Sequence, residues 1–159
     1  MTEIKKTLGN RIGKSNKDIV IKMIENVLPH VPYKKLICWC RTIAQMREFY
    51  KLFSTRLQNF KIYSSTSNDS ESINYGHNID YDEYKNAESN AIMLCVNRYK
   101  EGSDIKNVDV GVYLDMVKIR SLLVSIQTFG RILRKDNINS NKPSLKKYGI
   151  IIDTYINED

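Results

Sequence analysis

Two arginines and an amide stand at helical spacing near the carboxyl end of the sequence. Gln127, Arg131 and Arg134 are four and then three residues apart, so on a helix they share one face. Leu122, Ile126, Phe129 and Leu133 fall on another face, roughly 140° away at about 100° per residue. That second face would bury the helix against a core. The first would present two guanidiniums outward, to solvent or to a phosphate. Gly130 stands between them. A glycine inside a helix costs about 1 kcal/mol relative to alanine, so it marks close packing or close approach of a ligand.

A second chemical segment is Val96-Asn97-Arg98-Tyr99-Lys100-Glu101-Gly102-Ser103-Asp104-Ile105. Gly102 permits a tight turn or close backbone approach. Asp104 is a carboxylate beyond a strand end, where α/β sheets place their ligands. By itself this pattern is compatible with an ordinary turn.

Other chemistries find little support. Gly9-Asn10-Arg11-Ile12-Gly13-Lys14-Ser15 imitates a phosphate-binding loop, but it has three residues between its glycines instead of four. No apolar strand precedes it, and we read it as a linker leading into a helix cap. No Asp-Glu-x-x-(His/Asp) box is present to hold magnesium. Cys38, Cys40 and Cys95 lie in apolar runs with no second pair or nearby histidine, so we expect buried thiols in a reducing compartment and no metal site. His30 and His77 are isolated and read as surface residues.

The elements that would position these residues alternate. A helix is expected from near Lys17, capped by Ser15 or Asn16, with Ile19, Met23, Ile24 and Val27 at helical spacing. Pro29 and Pro32 should end it. Lys35 to Cys40 reads as a buried strand, with Cys38 and Cys40 on the same side. Thr42 to Leu57 is a strong amphipathic helix. Further strands are expected at 60–64, 91–96, 108–114 and 148–153, with a short helix near 80–88 and a longer one from about Lys118 to Arg134. The polar stretches 65–78 and 136–147 read as connections. Strands alternating with helices imply an α/β fold with a mostly parallel sheet flanked by helices. Residues 1–15 read as a linker or extension, and 16–159 as one domain.

Composition supports a folded chain with a polyanionic partner. Lysine and arginine number 25 against 18 acidic residues, a formal charge of +7, which fits nucleic acid. No apolar run approaches the ~18 residues that would span a membrane. We therefore expect a soluble intracellular protein.

Taken together, the segments resemble the C-terminal helicase domain of superfamily 2 over roughly residues 15–155. Glu101-Gly102-Ser103-Asp104-Ile105 resembles that family's motif V. Gln127-Thr128-Phe129-Gly130-Arg131-Ile132-Leu133-Arg134 completes its motif VI pattern Q-x-x-G-R-x-x-R. Leu36-Ile37-Cys38-Trp39-Cys40 with Arg41-Thr42 resembles motif IV, a strand running into a helix. The pattern is nearest the restriction-enzyme and viral members of the DEAD/DEAH-like type.

The resemblance implies a single RecA-like domain that acts with a second one, in cis or in trans. Arg131 and Arg134 would reach the γ-phosphate of ATP held with Mg²⁺ by the partner domain, and such fingers can be worth ~10³–10⁵ in rate. Gln127 would support that network. Asp104 would contact the ribose or couple the nucleotide to the interface, with Gly102 and Gly130 allowing close approach. Arg41 and Thr42 would approach the nucleic-acid backbone. Many relatives carry threonine where Val96 stands, and valine cannot make that hydrogen bond; Asn97 is the substitute at hand. Without a phosphate cradle of its own, the chain by itself should hydrolyse ATP negligibly. The alternative is a stand-alone nucleic-acid-binding or regulatory module that kept the fold and lost catalysis.

Overall fold

The computed structural model describes residues 14–65, 77–96, 105–115, 145–146 and 148–154. Its elements run α1 (Lys14–Val27), a 3₁₀ turn (Leu28–His30), β1 (Lys35–Cys40), α2 (Ile43–Arg56), β2 (Lys61–Ser65), α3 (His77–Asn86), β3 (Ala91–Val96), β4 (Val110–Tyr113) and β5 (Ile150–Asp153). The strands form one sheet in the order β2-β3-β1-β4-β5. All four pairings are parallel.

Burial on both faces explains the sequence of the central strands. β1, β3 and β4 are buried at every position, and strands covered on both sides need apolar residues on both. Leu36, Cys38 and Cys40 face one way, into a core completed by Val20, Ile21 and Ile24 of α1 and by Met46, Phe49 and Phe53 of α2. Ile37 and Trp39 face the other way and pack with Tyr84 of α3. Fully burying one such apolar side chain contributes about 1.5–3 kcal/mol.

The first helix begins at Lys14, about a turn before the expected Lys17, so Ser15 and Asn16 lie within it instead of capping it. Pro29 sits in the first positions of the 3₁₀ turn that follows; its fixed φ suits a helical start, and its missing N–H prevents continuation of α1. The helix expected from Lys118 to Arg134 lies outside the described residues.

The amino-terminal edge of the sheet is tied by charged side chains. Asp109 accepts from three successive backbone N–H groups: Oδ2 from Tyr33 (2.8 Å) and Lys34 (3.1 Å), Oδ1 from Lys35 (3.0 Å). This holds Lys34 at φ 52°, a conformation unfavourable to a side chain with a Cβ. Lys35 is fully buried. Its ammonium donates to the carbonyls of Lys85 (3.2 Å), Ala87 (2.7 Å) and Lys106 (3.0 Å) and lies 4.8 Å from the centre of the Tyr84 ring.

Candidate functional site

Because the sheet is parallel, the carboxyl ends of its strands share one edge, which is where such folds bind ligands. Cys40, the last residue of β1, pairs with Val96, the last residue of β3. On the other side Trp39 pairs with Tyr113, which ends β4, and the Leu114 N–H donates to the Trp39 carbonyl at 2.8 Å. Three neighbouring strands therefore end together. Arg41-Thr42 follow the first, the segment carrying Asn97, Gly102 and Asp104 follows the second, and the stretch leading to Gln127 follows the third.

The corner between β1 and α2 is held by its own side chains. Thr42 is the N-cap of α2, with extended backbone, and its hydroxyl oxygen accepts from the Gln45 N–H at 3.1 Å. Oε1 of Gln45 accepts from the Arg41 N–H at 2.8 Å. Its Nε2 donates to the Leu114 carbonyl at 2.7 Å. One amide thus joins the turn after β1 to the chain leaving β4. Thr-x-x-Gln is the spacing of a capping box, here with the glutamine reaching one residue further back than usual. That spacing was the available signal for Gln45, which the motif comparison alone passed over.

Arg41 and Thr42 are both exposed. Thr42 uses its oxygen as an acceptor and keeps an O–H to donate outward. The first turn of α2 has no acidic residue, so its partial positive charge is not neutralised locally. This part of the edge suits an anion.

The ionisable groups behind the edge argue against other chemistries. Burial, with Asp115 nearby, pushes the Cys40 thiol up to about 12, and burial also raises Cys38. Nucleophilic cysteines need the opposite shift. Lys35 is lowered to about 8, chiefly by burial and secondly by the charge of Lys106. A lysine with such a value could act as a base. Here, however, all three of its donors are engaged, and it sits at the edge opposite the strand ends. A groove of about 460 Å³ lined by Pro29, His30, Val31, Pro32, Leu145 and Tyr148 also lies at that opposite edge and is separate from the predicted residues.

Of the predicted site residues, the structure places Arg41 and Thr42 together at the end of β1. Asn97, Gly102, Asp104, Gln127, Gly130, Arg131 and Arg134 lie outside the described residues. Among the described residues no three metal-ligating side chains cluster, and no helix is long and apolar enough to cross a membrane.

The five-stranded, all-parallel sheet packed against helices is that of a RecA-like α/β domain. Its fold is shared by helicase domains of known structure. Solved structures that share it include Mss116p DEAD-box helicase domain 2 bound to an RNA duplex, with TM-score 0.57 and 15% identity over 96% of this chain. The ATP-dependent Type ISP restriction-modification enzyme LlaBIII bound to DNA gives TM-score 0.58 and 21% identity over 99% of this chain. The Pyrococcus furiosus Hef helicase domain gives TM-score 0.54 and 18% identity over 87% of this chain. The chain spans 51%, 11% and 26% of those chains respectively. No protein-family profile matches the sequence, and no curated protein is detectably similar to it.

Proposed function

We propose that this chain is the C-terminal RecA-like half of an ATP-dependent nucleic-acid helicase or translocase. The observation that carries the reading is the shared carboxyl edge: β3, β1 and β4 are adjacent and end in register, and each runs into one of the segments that resemble helicase motifs. Nucleic-acid-bound neighbours of the same fold support it.

In this reading Arg41 and Thr42 contact the phosphate backbone, Asn97 assists them, and the contact is sequence-independent and salt-sensitive. Arg131 and Arg134, with Gln127, face a nucleotide held by an N-terminal RecA-like domain in cis or in trans. Asp104 binds or senses that nucleotide, and Gly102 and Gly130 allow its approach. ATP with Mg²⁺, bound by the partner domain, supplies the energy of stepping. The contribution of this chain is to neutralise charge on the transferring phosphoryl group.

The test is reconstitution with a domain bearing the phosphate-binding loop and acidic box. Nucleic-acid-stimulated ATP turnover should appear only in the mixture. Arg131→Ala should abolish it while leaving the thermal unfolding of this chain unchanged. Undiminished turnover in Arg131→Ala, or robust turnover by this chain alone, refutes the assignment.

A further inference from the structure

The cations of α2 are not distributed evenly between paired and unpaired positions. In its last turn Arg56 is held by Glu25 at 2.9 Å and by Asp18 at 3.6 Å, both from α1. The carboxylate of Glu48, on the flank of α2 towards α1, is taken by Lys17 of α1. Towards the carboxyl edge the pattern changes. Arg41, Arg47 and Lys51 are exposed, and among the described residues none of them has a carboxylate within ion-pair distance.

Arg47 and Lys51 are four residues apart and therefore neighbours on the helix surface. At about 100° per residue they point away from Met46, Phe49 and Phe53, which are buried in the core. With a rise of about 1.5 Å per residue, Lys51 lies roughly 12 Å along the axis from the start of α2. Like charges at this spacing destabilise a helix, so the pair is unfavourable unless an anion lies across it. The acidic residue of this stretch, Glu48, is paired with Lys17 and not with the strip.

We propose that the outer face of α2 is a second stretch of phosphate-binding surface, on which Arg47 and Lys51 extend the contact begun by Arg41 along a nucleic-acid backbone. The proposal rests on the nucleic-acid reading of the β1–α2 corner. Charge complementarity selects the occupant. A strand carries one phosphate per roughly 3.4 Å of helix axis, so long cationic side chains spread over about 12 Å of α2 meet several phosphates. The strip runs along α2 away from the carboxyl edge of the sheet, so it lengthens the contact begun at Arg41.

The experiment measures binding of a fluorescein-labelled oligothymidylate to the chain by anisotropy across a salt series. The double variant R47Q/K51Q is compared with K22Q/K106Q, which removes the same charge from exposed positions on α1 and at the opposite edge. For single strands each lost phosphate contact reduces the salt slope by about 0.7. R47Q/K51Q should therefore reduce it by about 1.4 without lowering the melting temperature of the free chain, and K22Q/K106Q by less than half as much. Equal losses in the two double variants overturn the proposal, because net charge alone then explains the binding. If R41Q weakens binding while R47Q/K51Q leaves the slope intact, the α2 strip is wrong and the corner reading stands. If the unaltered chain does not bind, both fail.

Discussion

The Nε2 of Gln45 donates to the carbonyl of Leu114 at 2.7 Å, so the first turn of α2 is fastened to the end of β4 across 69 residues of sequence. The same side chain accepts from the N–H of Arg41. A change that moves the corner at Arg41 and Thr42 is thereby felt where the chain leaves β4.

Gln45→Ala removes both bonds and should destabilise the chain by about 1–3 kcal/mol, since a part-buried carbonyl and an N–H lose their partner. Gln45→Glu keeps an acceptor for Arg41 but sets a carboxylate against the Leu114 carbonyl. It should be at least as unstable as Gln45→Ala at neutral pH and recover as the carboxyl protonates in acid. Urea unfolding followed by the fluorescence of Trp39, the sole tryptophan, measures both. An unchanged midpoint for Gln45→Ala would show that the strut carries no load.

The buried Lys35 predicts a rise of stability with alkali. Its value falls from 10.5 unfolded to about 8 folded. Between those values the unfolded chain binds more protons, so stability increases with pH. The gain is complete above 10.5 and lost as pH falls through about 8. Lys35→Met removes the titration, and comparison with it cancels other groups. The stability of the unaltered chain relative to Lys35→Met should climb from pH 8 to pH 10.5. A flat difference contradicts the assignment.

The buried thiols predict the opposite trend. Cys38 and Cys40 have folded values above their ordinary 9.0, Cys40 reaching about 12. Their contribution is fully present below pH 9 and is lost as pH rises towards 12. Cys40→Ala should flatten part of that loss. Ellman's reagent at neutral pH should find none of the three cysteines reactive in the folded chain and all three after denaturation. Rapid labelling of the native protein would contradict their burial.

How far the sequence could be read follows from where the physical signal lies. β1 and β3 have the limits expected because two-sided burial leaves an unbroken apolar run bounded by polar residues. The helix after Thr42 was legible from its periodicity, and its cap is the residue expected to begin it. β4 and β5 are shorter than the apolar runs that suggested them. The Val108 carbonyl accepts from the Lys146 side chain instead of a strand partner. Lys35 read as an ordinary strand boundary, because its burial depends on carbonyls about 50 and 71 residues away. Asp109 was equally silent, its three partners lying 74 to 76 residues back. Of the site, the sequence marked Arg41 and Thr42. It could not show that Gln45 binds their corner to β4, since only the parallel register brings Leu114 within reach.

The placement of Asp109 and Lys35 has a bearing on how this chain tolerates change. Both grip backbone atoms at the amino-terminal edge, joining segments that arrive at widely separated points in synthesis. Much of the long-range fastening is thus invested at one end of the molecule, remote from Arg41 and Thr42. Substitutions among the exposed side chains at the opposite rim can change its charge and shape without loosening that clasp, so the rim is free to diversify while the base holds still.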